Sequence, residues 1–166
     1  MPSPVGHALG GIAAGWRIVP GATWRSAAVL AVIAIAPDLD LLVGEHRGIS
    51  HSIGAALLAG LAVWIVTRRS WWALAAFAAW TSHVALDWMS NDTRPPIGVM
   101  ALWPFTQAYC KAAFEIFPAV SRRYWLAEFW IYNLKALCVE VIVLGPIALL
   151  AIRGRRRDRG PMTDDR

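Results

Sequence analysis

Four histidines and three aspartates stand within the first ninety residues: His7, Asp38, Asp40, His46, His51, His83 and Asp87. They include every histidine of the chain, and Glu45 is the one further acid in that stretch. Imidazole nitrogens with carboxylate oxygens make a mixed shell that suits Zn²⁺, with Mn²⁺ or Fe²⁺ also compatible, and differs from the thiolate shell of a structural zinc. Seven donors exceed the needs of one tetrahedral ion and are enough for two ions roughly 3.5–4 Å apart. The expected cofactor is therefore a divalent metal, one to three ions. Ions so held lower the pKa of bound water and clamp a phosphoryl or carbonyl oxygen. The chemistry to look for is hydrolysis with metal-bound hydroxide as nucleophile.

The spacings make each member plausible and leave a plainer reading beside it. His83 and Asp87 are four apart, which puts them on one face of a helix, where they can share an ion or the carboxylate can orient the imidazole. Such pairs are also common as simple hydrogen-bonded caps. Asp38 and Asp40 follow Pro37, where a chain leaving a helix can aim alternate residues at one ion; the plainer reading is a solvated helix end. Acids at a helix C-terminus oppose the macrodipole, so a cation is welcome there. HRGISHS (46–52) supplies His46 and His51. With Ser50 as N-cap, His51 would open a helix whose dipole favours the neutral, metal-binding imidazole. Arg47 has the fork that holds a phosphate or carboxylate, or it pairs with Glu45 or a lipid headgroup. His7, on a glycine-rich stretch, is the least specific of the set.

The elements that must position these residues are apolar. Hydrophobic residues make up 57% of the 166, with ten tryptophans. Many of these, among them Trp24, Trp71, Trp72, Trp88 and Trp130, lie near the ends of apolar runs, as an aromatic belt at a membrane interface requires. Five helical segments are expected: 5–19, 25–43 interrupted by Pro37, 51–67, 71–89 and 130–152. Several fall short of the ~20 residues of a full span, so tilted or re-entrant helices are expected among them. Gly6, Gly10, Gly11 and Gly15 give two small-xxx-small pairs that let helices approach closely. The fold class is thus all-α, a polytopic helical membrane bundle: one domain over 1–152 and a basic polar tail over 153–166. Within the long connection 91–129, the patch YWLAEFW (124–130) is expected to lie in the interface. Glu140, in mid-segment, is expected in a hydrogen-bonded wet crevice. Cys110 and Cys138 have no motif spacing; no disulfide is expected, and Cys138 reads as a small buried hydrophobe. No Lys or Arg precedes Arg17, so no cleaved signal peptide is expected.

The net charge of +5 comes largely from RGRRRDR (153–159). After a span, such a tail marks the cytoplasmic end and meets anionic lipid, so membrane lipids and not nucleic acid are the expected partners. If all five segments cross, Arg17, Arg25, Arg68 and Arg69 join that tail. The opposite side holds Arg47, Arg94, Lys111, Arg122, Arg123 and Lys135. All four histidines then fall on that opposite, extracytoplasmic side. Ionisable groups at a bilayer cost a few kcal/mol on insertion scales and are usually paired, wet or functional.

GHALGG (6–11), PDLD (37–40), HRGISHS (46–52) and SHVALD (82–87), followed by GVMALWPF (98–105), together resemble a bacterial family described as LexA-binding, inner-membrane-associated metal-dependent hydrolases. The resemblance covers about residues 5–105. Ile49–Ser50 stands where a Thr is expected before the second histidine, a mild departure. More distantly, the ligand types look like those of zinc-dependent phospholipase C and the fungal single-strand nucleases. The resemblance implies metal or catalytic positions at His7, Asp38, Asp40, His46, His51, His83 and Asp87.

The resulting expectation is a hydrolase of the bacterial inner membrane acting on a phosphoester or other ester at headgroup depth. Asp40, Glu45 and Arg47 are its candidate catalytic residues: Glu45 as proton shuttle, Arg47 with Arg94 as phosphate holders. One alternative is a non-enzymatic membrane interaction protein with a structural metal. Another is a b-type haem protein, which would not need three nearby aspartates. The HExxH and GxSxG signatures are absent, which lowers peptidase and serine-hydrolase readings.

Overall fold

A computed structural model describes residues 1–42, 46–92, 95–121 and 123–158. Among these are five α-helices and no strand: α1 (Pro4–Gly15), α2 (Trp24–Ile35), α3 (Ile53–Thr67), α4 (Ser70–Trp88) and α5 (Glu128–Asp158). The expected five apolar segments thus exist, with shifted ends. Two 3-10 turns, Ala36–Leu42 and Ile49–His51, lie between α2 and α3.

The shifts have local causes. The second segment does not run through Pro37 as one interrupted helix; α2 ends at Ile35 and PDLD winds into the first 3-10 turn. A proline in a helix interior removes a hydrogen bond and crowds the preceding turn. Ser52, not Ser50, caps α3, its hydroxyl accepting from the Ala55 amide at 3.0 Å. His51 therefore belongs to the second 3-10 turn and does not open α3. At the other end α5 outruns the expected 152 and carries the first arginines of the tail, good helix formers whose charge suits a helix C-terminus.

The bundle is packed around α1. A Cβ at Gly11 would sit 2.4 Å from the Ala34 methyl and 2.8 Å from the Leu30 carbonyl; one at Gly15 would sit 2.4 Å from Leu30. The glycine stripe is what lets α2 cross so near. Val19, Leu30, Ala34, Ala75 and Ala79 form the buried core at that end. On the other flank, Glu140 of α5 is fully buried and accepts two hydrogen bonds from Ser3, one from the amide at 2.7 Å and one from the hydroxyl. The expected hydrogen bonding of Glu140 is thus supplied by Ser3, which ties α5 to the start of α1. Ser3 caps α1 in turn, accepting from the Gly6 amide at 3.3 Å. A Cβ on Gly154 would come 1.8 Å from the Arg17 guanidinium. Ser3 beside Glu140 and Arg17 beside Gly154 fix α1 and α5 as parallel neighbours.

Among the described residues one helix is long and apolar enough to cross a bilayer, Glu128–Gly154. Ile53–Thr67 is apolar but shorter. Leu57, Leu58, Leu61, Ile65 and Val66 of α3 are nevertheless exposed. Both cysteines are free, and Cys138 lies exposed on α5 rather than buried.

Candidate metal centre

Four elements deliver the cluster. His7 comes from the first turns of α1, Asp38 and Asp40 from the first 3-10 turn, His51 from the second, and His83 with Asp87 from the last turns of α4. Residues far apart in the chain thus meet at one end of the bundle. His7, His51 and His83 have no exposed surface and Asp87 has 4%.

Four atoms define its centre. His51 Nε2 lies 3.5 Å from Asp38 Oδ1 and 3.3 Å from Asp87 Oδ2. His83 Nε2 lies 3.6 Å from each of the same two oxygens. Around a tetrahedral zinc with ligand bonds of ~2.0–2.2 Å, neighbouring ligand atoms stand about 3.3–3.6 Å apart. The four side chains therefore fit a divalent ion without rearrangement, and they form one of two groups here able to hold one. His7 approaches the other oxygens of the same acids, 3.5 Å from Asp87 Oδ1 and 4.0 Å from Asp38 Oδ2, with its ring stacked on His83 at 3.7 Å. That stacking leaves no slot for a porphyrin between the two rings.

The clearest mark of the site is what its atoms lack. Both His7 nitrogens, Asp38 Oδ1, His51 Nε2, His83 Nε2 and both Asp87 oxygens are buried without a hydrogen-bond partner among the described residues. A buried polar group left unsatisfied costs ~1–3 kcal/mol, more if charged. So many at one point demand a shared positive partner. The second nitrogens of two rings are already committed. His83 Nδ1 donates to the Ala34 carbonyl at 2.7 Å, which leaves Nε2 as the free lone pair. His51 Nδ1 faces Asp40 Oδ2 at 3.1 Å and the Ser50 hydroxyl at 2.9 Å, which turns its Nε2 inward in the same way.

Asp40 differs from Asp38 two residues earlier. Its Oδ1 meets His46 Nδ1 at 2.8 Å, and its Oδ2 accepts from the Ser50 hydroxyl at 2.7 Å and the Arg47 amide at 3.2 Å. Burial works to raise its pKa, yet the contacts with His46, His51 and Ser50 outweigh that and hold the carboxyl well below the usual carboxylate range. Asp38, Asp40, His46 and His51 form the second group able to hold an ion. Burial opposes charge on His51, but the facing carboxylates of Asp38, Asp40 and Asp87 push its pKa up to about 10. The dipole of α3, which begins just beyond His51, favours the neutral imidazole, and the three carboxylates outweigh it. The convergence of three carboxylates on His51 favours positive charge at this point of the cluster.

The remaining candidates fare unevenly. Arg47 pairs its guanidinium with Asp92 and has φ of 69°, a left-handed conformation that costs a non-glycine residue about 1–2 kcal/mol. The hydrogen bond that its backbone N–H donates to Asp40 holds it there. Glu45 and Arg94 lie outside the described residues. Ser50 and Trp80 were not legible as site residues: Ser50 bridges Asp40 and His51, and Trp80 Nε1 donates to the Ser50 carbonyl at 2.8 Å. Ser50 sits beside a candidate histidine in the sequence, a weak signal; Trp80 carried none.

A model of the YdjM inner membrane protein family matches residues 3–157. No curated protein and no solved structure matches the chain, so the more distant likeness to zinc-dependent phospholipase C and the fungal nucleases gains no support. The inner-membrane character expected from composition and the motifs around the histidines is thus carried by a match over nearly the whole chain, which belongs to the YdjM inner membrane protein family.

Proposed function

We propose that this protein is a metal-dependent hydrolase set in the inner membrane, acting on an ester at headgroup depth, with a phosphoester as the favoured class. The observation that carries the reading is the convergence of buried, unpartnered imidazole nitrogens and carboxylate oxygens from four elements at ligand spacing. Asp38, His51, His83 and Asp87 would hold a first ion. His7, facing the other oxygens of Asp38 and Asp87, would help to hold a further ion. A divalent ion there supplies an activated water near neutral pH and positive charge opposite the ester oxygen. Asp40 positions His51 and His46. His46 is held at Nδ1 by Asp40 and at Nε2 by the Met1 sulfur, 2.9 Å away, and so stands beside the cluster as a positioned imidazole. Arg47, anchored by Asp92, borders the site and offers charge to an anionic group.

Multi-pass insertion is part of the proposal. With α5 crossing, its parallel neighbour α1 runs in the same sense, as an odd number of crossings requires. The exposed leucines of α3 then face lipid. At ~1.5 Å per residue the 15 residues of α3 reach about 22 Å, less than the ~30 Å hydrocarbon core, so this helix needs a thinned bilayer. The cluster lies extracytoplasmic, away from the basic end of α5.

Metal content of the purified protein, beside Asp38→Ala and His83→Ala, tests the centre, together with a panel of phosphoesters and carboxylic esters. The expected result is divalent metal and hydrolysis in the wild type and neither in the variants. Retained metal in both variants sinks the site. The site ties four elements together, which also favours a purely structural ion; metal without hydrolysis of any ester would establish that second reading.

A further inference from the structure

The cluster is closed on most sides. His7, His51 and His83 have no exposed side-chain surface, whereas Asp38, Asp40 and His46 keep 9, 11 and 17%. Any substrate must approach past those three. Of these, His46 lines a cleft of about 500 Å³, together with Arg47, which like His46 hydrogen-bonds to Asp40, with Met1, whose sulfur lies 2.9 Å from His46 Nε2, and with Arg123, Leu126, Phe129 and Tyr132 around the start of α5. That volume falls within the ~300–1,000 Å³ typical of small-molecule sites. The far wall is braced: the Ser121 amide donates to Asn133 Oδ1 at 2.8 Å, and Asn133 Nδ2 donates back to the Ser121 carbonyl at 3.0 Å.

The lining is two-natured. Arg47 and Arg123 bring positive charge; Asp92 is engaged by Arg47 and by the Gly98 amide, and Glu128 sits in the first turn of α5, where a carboxylate complements the helix dipole. Leu126, Phe129 and Tyr132 recur every three residues and give the cleft an apolar strip. Tyr124, Trp125 and Trp130, interleaved with that strip, are 71, 68 and 70% exposed. Exposed tyrosine and tryptophan beside the start of a candidate span mark headgroup level.

We propose that this cleft is the substrate site, and that it takes a phosphoester of net negative charge bearing a hydrocarbon tail. Its phosphate lies between Arg47 and Arg123, and its tail runs along Leu126, Phe129 and Tyr132 towards the bilayer. The assignment rests on the hydrolase reading for its chemistry, and its binding can be tested apart from it.

The full chain is placed in phosphatidylcholine nanodiscs. Phosphatidylglycerol doped into the bilayer is one probe, and glycerol 3-phosphate in the buffer is the other. Bound ligand is read by native mass spectrometry, and metal content is measured on the same samples. The wild type is expected to retain phosphatidylglycerol and to bind glycerol 3-phosphate weakly. Arg123→Glu, at an exposed position, loses about tenfold in phosphatidylglycerol retention with metal content unchanged. Tyr132→Ser weakens retention of the lipid and leaves glycerol 3-phosphate as it was. Wild-type retention in both variants overturns the proposal, as does glycerol 3-phosphate binding as tightly as the lipid. A wild type without metal whose lipid retention still depends on Arg123 would remove the hydrolase reading and leave the cleft as a lipid site.

Discussion

Glu140 and Asp87 are both buried carboxylates of an inner membrane protein, and they are held in opposite ways. Glu140 has both oxygens filled by Ser3. Asp87 has both oxygens buried and unfilled, facing three imidazoles at 3.3–3.6 Å. Burial of an acid therefore separates nothing by itself. The distinction lies in whether the surroundings complete its hydrogen bonding. A satisfied carboxylate is a fastener between helices; an unsatisfied one among unpartnered imidazoles belongs to a group that could hold a cation. Asp38 and Asp40 repeat the contrast within four residues of sequence.

The contrast can be broken at Asp87 first. Asp87→Ala is expected to abolish stoichiometric metal. A chelator should then lower the thermal stability of the wild type, by about 2.7 kcal/mol where metal had stood at a hundredfold above its Kd, and leave the variant unmoved. An equal response in both proteins would put Asp87 outside the centre. A smaller effect is expected at Asp40, which orients ligands. Asp40→Asn should weaken metal affinity about 10–100-fold, measured by competition with a chromophoric chelator, without removing the site. Unchanged affinity would show that His51 needs no help from Asp40. The smallest effect is expected at Glu140. Glu140→Gln should cost about 1 kcal/mol of stability in denaturant unfolding while metal content stays at the wild-type level. Loss of metal there would erase the distinction between fastener and site.

Much of this was legible in the residues themselves. Helical periodicity placed His83 and Asp87 on one face, and the structure brings both against His7 and His51. The glycine spacing foretold the close crossing of α1, and the apolar runs foretold five helices. What escaped were contacts across long stretches of chain. Glu140 finds Ser3 across 137 positions, and Arg47 finds Asp92 across 45, where no periodicity reaches. The cap at Ser52 was misassigned to Ser50 because both serines flank His51, and local propensity cannot rank two equal hydroxyls. The long apolar stretches spoke clearly of membrane, yet one helix among the described residues reaches spanning length, since composition reports greasiness and says little of where a helix stops.

The tie between Ser3 and Glu140 also bears on the order of assembly. His7 sits one turn beyond Ser3, its amide bonded to the Ser3 carbonyl at 3.1 Å. The anchor for that turn lies 137 positions further along the chain. During synthesis His7 therefore emerges well before its anchor, and the tie that fixes its turn can form only once α5 has been made.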